Sequence, residues 1–166
     1  SKESPSRAFL QMVEAFIWSN YKPEEDEVAH ELGSAPGGAS YAMVQRGIRV
    51  TGVDNAEMSE TLLNHPLFTH IKEPMQKVRD EHIPRPCHLL VSDVNVMPSL
   101  NLSQVKRFMQ LRPGIKNVFY TLKIGSKITV PEILEHAKTF KRFGFREVGI
   151  TQLPSSKSEI LLFGKK

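Results

Sequence analysis

The segment Glu31–Tyr41, ELGSAPGGASY, places three glycines and a proline between an apolar run and the first turn of a helix. Glycines let backbone N–H groups approach a ligand closely, and the helix that follows offers its N-terminus to it. A dinucleotide-binding loop would read G-x-G-x-x-G, whereas Gly33 to Gly38 reads G-x-x-P-G-G. Pro36 stiffens the turn and removes one donor, which suits a ligand without a pyrophosphate. The next strand, IRVTGVD, ends on Asp54, where a carboxylate can hold a ribose diol. A plainer account stays open: a tight turn at Gly33–Gly38, with Asp54 capping the turn over Ala56–Glu60.

Other chemistries find less support. The six histidines, at 30, 65, 70, 82, 88 and 136, show no metal-ligand spacing, so no metal is expected. Covalent chemistry through a thiol has one candidate, Cys87, the single cysteine, which precedes its strand and reads as an inert buried thiol.

These residues need a frame to position them. The apolar stripe Ala8, Phe9, Met12, Val13, Phe16 and Ile17 predicts a helix over Pro5–Asn20, capped by Ser4. Strands are expected at Val28–Gly33, Ile48–Asp54, Phe68–Lys72, His88–Val94 and Asn117–Ile124, with a closing antiparallel pair in FREVGITQL and SEILLFG. Helices are expected near Gly38–Arg46, Glu57–Leu63, Leu102–Leu111 and Pro131–Phe143. This alternation predicts an α/β fold with a mostly parallel sheet covered on both faces, and ligands at the carboxyl ends of its strands. The 166 residues fit one domain. One cysteine forbids an intrachain disulfide, and no apolar run reaches membrane-spanning length, so the expected setting is a reducing intracellular compartment, cytoplasmic or organellar, without membrane contact.

ELGSAPGG, followed in order by VTGVDN, VSDV and YTLK, resembles the FtsJ-like family of S-adenosylmethionine-dependent RNA ribose 2′-O-methyltransferases, whose loop reads D-L-G-A-x-P-G-G. Within it the chain is most similar to the branch that modifies a cytidine of large-subunit ribosomal RNA, with which it shares the opening P-S-R. The resemblance implies a Rossmann-like methyltransferase fold of seven strands with an antiparallel terminal strand. It implies S-adenosylmethionine as cofactor, contacted by Glu31, Gly33, Ser34, Ala35, Pro36, Gly37, Gly38, Asp54 and Asp93. It also implies a catalytic set of lysine, aspartate, lysine and glutamate, of which Asp93, Lys123 and Glu159 are present. Gln11 replaces the first lysine.

Two further departures stand out. Glu31 replaces the family's aspartate, and Pro74 falls where relatives carry an acidic residue near the adenine. Glutamine can hydrogen-bond a ribose but carries no charge, so Lys123 loses a neighbouring ammonium that would favour its neutral form. Either a slow enzyme, with a substitute cation from Arg7 or Lys157, or a non-catalytic RNA-binding domain would follow. The expected partner is RNA, ribosomal by resemblance, together with an N-terminal RNA-binding region as in relatives. Lys106, Arg107, Arg112, Lys116, Lys127, Lys138, Lys141 and Arg142 are candidates to track phosphates against a net charge of +4, and Trp18 and Tyr41 are candidate stacking platforms.

Overall fold

The structure is a computed structural model that describes residues 6–124 and 128–166. The expected Ser4 cap lies outside the described residues. Within them Ser6 performs that role, its Oγ accepting from the Phe9 N–H at 3.2 Å to start α1 (Arg7–Trp18). Then come β1 (Val28–Leu32), α2 (Gly38–Val44), β2 (Arg49–Val53), α3 (Glu60–Leu63), β3 (Phe68–Ile71) and β4 (Leu89–Ser92). The chain continues through α4 (Pro98–Leu111), β5 (Asn117–Lys123), α5 (Val130–Arg142), β6 (Glu147–Thr151) and β7 (Glu159–Lys165). Thr129 and Glu132 form a reciprocal cap that fixes the start of α5. α4 begins one turn earlier than the sequence suggested, because Pro98 sits at its first turn, where the missing N–H costs nothing.

The seven strands lie in the order β3-β2-β1-β4-β5-β7-β6, and β7 alone runs against its neighbours. Alternate residues of the buried strands feed two cores. Ala29, Val50, Leu89, Val91, Phe119, Leu161 and Phe163 pack under α1, α2 and α3. Leu32, Leu90, Val118, Tyr120, Leu122 and Leu162 pack under α4 and α5. Connections therefore diverge to opposite faces on either side of the β1–β4 pair, which opens a crevice at the carboxyl ends of those strands. No helix among the described residues is long and apolar enough to cross a membrane.

α1 is the element the parallel sheet does not itself require, and one glycine decides where it lies. A Cβ on Gly38 would stand 2.0 Å from Ser6 Oγ and 3.0 Å from the Phe9 nitrogen. The bare Cα lets the start of α1 cross the start of α2 and brings Gln11 over the sheet edge.

Two expectations about side chains need correction. Arg112 is not a phosphate contact: it is 5% exposed and donates to the main-chain oxygens of Asp80, Ile83 and Pro84 and to the Asp80 carboxylate at 2.5 Å. A guanidinium has enough donors to satisfy such a cluster of carbonyls, which is why it can be buried. Arg107, too, is turned inward. Lys106 and Lys141 are exposed, Lys138 and Arg142 pair with Glu135, and Lys116 pairs with Glu24 at the amino end of β5. Lys127 lies outside the described residues. Of the two aromatic candidates, Trp18 keeps 42% of its surface exposed while packing over Gly149, and Tyr41 is half-buried against Phe9.

Candidate functional site

The ends of β4, β5 and the start of β7 meet because β7 is antiparallel: register pairs Lys123 at the end of β5 with Glu159 at the start of β7. Lys123 Nζ lies 2.8 Å from Glu159 Oε1 and 3.1 Å from Asp93 Oδ1, just beyond the end of β4. Gln11 reaches the other oxygen of the same carboxylate from α1, donating through Nε2 to Glu159 Oε2 at 2.5 Å and to Ser156 Oγ at 3.1 Å. Arg7 comes within 3.9 Å of Glu159 Oε1. All four residues expected to form the catalytic set are thus brought together, with glutamine as a neutral donor in the place of a cation.

The electrostatics follow from that packing. Burial works to raise the Glu159 carboxyl, but the hydrogen bonds from Lys123 and Gln11 and the charges of Lys123 and Arg7 outweigh it and hold it below its ordinary value. For Lys123 burial works downward, yet the hydrogen bond to Glu159 and the nearby Asp93 win, and its ammonium is held above its ordinary value. Lys123 is therefore charged at neutral pH. A second cation at position 11 would have opposed this, and glutamine does not.

A cavity of about 530 Å³ opens beside Lys123, a size suited to a small organic ligand. Gly33, Ser34, Ala35, Gly38, Asp54 and Asp93 of the expected cofactor set line it. Asp54 is held in place by two main-chain donors, Ala35 N–H at 3.0 Å and Ala56 N–H at 2.9 Å. The capping role foreseen for Asp54 is thus present, and the same side chain lines the cavity. Glu73–Gln76 also line it, so the acid absent at Pro74 is present one position earlier, at Glu73. Among the described residues that line it, Lys123 is the one cationic side chain, and two carboxylates hold it. A phosphate-bearing ligand would meet mainly acids here. A nucleoside with hydroxyls and a cationic tail would meet complementary groups.

Three expected contacts do not line the cavity. Pro36 and Gly37 turn towards α3, where the Pro36 carbonyl accepts from Ser59 N–H at 3.0 Å. Glu31 lies behind the loop, 2% exposed, hydrogen-bonded by the Ser40 hydroxyl in the first turn of α2. Burial above all, with Asp93 and Asp54 nearby, pushes its carboxyl up to about 8 against the opposing Ser40 bond, so at neutral pH it is predominantly a neutral acid. Gly33 also serves a packing role. Its φ is +76°, and a Cβ there would lie 2.3 Å from the Asp93 carbonyl oxygen. Its bareness seats the loop against the strand end that carries Asp93. Cys87 is buried at the other end of β4, its thiol pushed up to about 12, mainly by burial, and so has no nucleophilic form at neutral pH.

Known proteins resemble the chain in sequence and in fold. The chain is 32% identical over 133 residues to the ribosomal RNA large subunit methyltransferase M of Xylella fastidiosa strain M12, an alignment covering 75% of this chain and 36% of that protein. It is 30% identical over 173 residues to the protein of the same name from Pseudomonas savastanoi pv. phaseolicola, covering 96% of this chain and 46% of the relative. The chain thus spans less than half the length of these curated relatives. Its fold is shared with the 1,6-didemethyltoxoflavin-N1-methyltransferase of Burkholderia thailandensis, solved with S-adenosylhomocysteine, at a TM-score of 0.70 and 14% identity over 98% of this chain and 79% of that one. The family described as FtsJ-like methyltransferase matches residues 5–159, a span that contains the glycine loop, Asp54, Asp93, Lys123 and Glu159, and the chain belongs to that family.

Proposed function

We propose that this chain is the catalytic domain of an S-adenosylmethionine-dependent methyltransferase acting on a ribose 2′-hydroxyl of RNA, ribosomal RNA in particular. The observation that carries the reading is Lys123, clamped between Asp93 and Glu159 at the rim of a cavity whose other strand end offers Asp54. Asp54, Gly33, Ala35 and Gly38 would hold the cofactor, which when bound supplies an electrophilic methyl group. The names of the curated relatives support ribosomal RNA as the class of acceptor.

The chain's own residues then divide the work. A 2′-hydroxyl that accepts a methyl must lose its proton, and Lys123 Nζ is the nitrogen placed to receive it. Asp93 and Glu159 fix the direction of that nitrogen, while Gln11 and Ser156 fix Glu159. The same two carboxylates keep Lys123 protonated at rest, so it must first give up its own proton. Geometry is optimised and basicity is not, which makes this a slow enzyme at neutral pH.

A second reading has a specific observation in its favour. Gln11 removes the cation that would release the Lys123 proton, as expected of a domain that binds RNA and has lost turnover. Calorimetric titration with S-adenosylmethionine and S-adenosylhomocysteine, with Asp54→Ala as control, tests the cofactor site. Transfer of labelled methyl from S-adenosylmethionine to ribosomal RNA, followed by nucleoside analysis for a 2′-O-methylated residue, tests the reaction. Cofactor binding without transfer at pH 7 to 10 would favour the second reading, and no binding to folded protein would remove the first.

A further inference from the structure

The connection from β3 to β4 spans residues 72–88 and forms only two short 3-10 turns, Met75–Lys77 and Asp80–His82. Its first part, Glu73–Gln76, is a wall of the cavity. So short a turn has few internal hydrogen bonds: Lys77 N–H reaches the Pro74 carbonyl at 2.9 Å and Val78 N–H reaches that of Met75 only at 3.4 Å. What holds its carbonyls comes from α4, 29 to 32 positions away in sequence. Arg107 donates through Nη2 to the Met75 carbonyl at 2.7 Å and through Nη1 to the Val78 carbonyl at 2.8 Å. The guanidinium is itself fixed. Its Nε donates to Gln104 Oε1 at 3.0 Å, and its central carbon lies 4.5 Å from the centre of the Phe108 ring.

The geometry points to Arg107 as a positioning residue for the cavity, a role that rests on reading the cavity as a cofactor site. Its side chain is not part of the cavity lining. It clamps Met75 and Val78 from behind, and Met75 is both a cavity wall and a core side chain at 6% exposure. The turn it holds begins after Pro74, where the chain lacks the acidic residue its resemblance led one to expect. The shape of this wall therefore depends on a fork of donors that only arginine supplies. Lysine has three donors on a single nitrogen but no planar fork, so it cannot reproduce the two bonds that separate nitrogens make to Met75 and Val78. Arg112 secures the second turn in the same way, but it is fully buried and remote from the cavity lining, so its loss would unfold the segment rather than reshape the wall.

The test compares wild type with Arg107→Ala and Arg107→Lys by hydrogen exchange without ligand and by calorimetric titration with S-adenosylhomocysteine. The expected result is faster exchange of the amides at 75–78, unchanged protection in β1 and β4, and at least a tenfold weaker affinity for Arg107→Ala, with Arg107→Lys in between. If Arg107→Ala does not fold, Arg107→Met keeps the stem over Phe108 and is measured in its place. Unchanged exchange at 75–78, or an affinity within twofold of wild type, would overturn the assignment. If folded wild-type protein binds no S-adenosylhomocysteine, the cofactor reading fails and the role of Arg107 in positioning a ligand falls with it. The exchange data then still decide whether Arg107 clamps the turn.

Discussion

Replacing Glu31 by glutamine should remove a large part of the pH dependence of stability between pH 5 and 8. Glu31 is buried behind the glycine loop, and its carboxyl is pushed from 4.5 to about 8, first by burial and then by Asp93 and Asp54 against the Ser40 hydrogen bond. The folded protein thus keeps a proton that the unfolded chain releases above about pH 4.5. Wherever the folded state binds more protons than the unfolded one, stability falls as pH rises. For this group the fall runs at about 1.4 kcal/mol per pH unit and flattens above pH 8. Over pH 5 to 8 that amounts to roughly 3–4 kcal/mol, a substantial fraction of the stability of a domain this size. Glutamine has the shape of the neutral acid and can accept from Ser40, but it titrates in neither state. Urea unfolding of both proteins at pH 5, 6, 7 and 8 gives the readout. The variant should lie close to wild type at pH 5 and gain steadily on it towards pH 8. Curves that remain parallel over this interval would refute the reasoning, since Glu31 would then hold the same number of protons folded and unfolded.

Because Lys123 is held above its ordinary pKa of 10.5, methyl transfer should increase about tenfold per pH unit from pH 7 to 9.5, as the neutral amine grows; a flat profile would assign the proton to another group. Gln11→Lys places a second ammonium on the far oxygen of Glu159, and at about 5 Å with an effective dielectric near 20 the repulsion is ~3 kcal/mol before solvent screening. The rate at neutral pH should accordingly rise about tenfold or more and the profile move to lower pH, which single-turnover transfer assays would show. Gly33→Ala forces a side chain into the Asp93 carbonyl at a positive φ and should cost about 2 kcal/mol or more, together with cofactor affinity; a wild-type melting temperature would contradict it. Cys87 should resist alkylation by iodoacetamide at pH 8 until the protein unfolds, as its thiol is buried and pushed up to about 12.

The succession of strands and helices, the two helical layers and the antiparallel final strand were legible because apolar periodicity and glycine or proline stops mark nearly every element. The meeting of Asp93, Lys123 and Glu159 was legible through strand-end position and resemblance. What escaped has identifiable causes. Residues 72–88 carry no apolar period, since their order comes from Arg107 and Arg112 on a distant helix. Those two arginines were read as candidates for phosphate because charge shows in a sequence and burial does not. Glu31 was counted with the ligand contacts because it stands in the place of the family's aspartate, and β1, buried along both faces, has no alternation to show which way it points. The glycines were read as room for a ligand, and Gly33 and Gly38 do line the cavity, but they also make room for the Asp93 main chain and for α1, which a sequence does not show.

The reversed direction of β7 has a consequence for how the site comes into being. Asp54, Asp93 and Lys123 all lie at the exits of parallel strands that are synthesised early, and Glu159 follows Lys123 by 36 positions. β6 reaches the rest of the sheet only through β7. Asp93 alone of the two carboxylates is therefore supplied by the parallel strands, and Glu159 comes with the strand that lies between β5 and β6. That one strand delivers the second carboxylate, gives Gln11 its partner and attaches the outermost strand, so the cluster of Asp93, Lys123 and Glu159 is complete only when the sheet is closed.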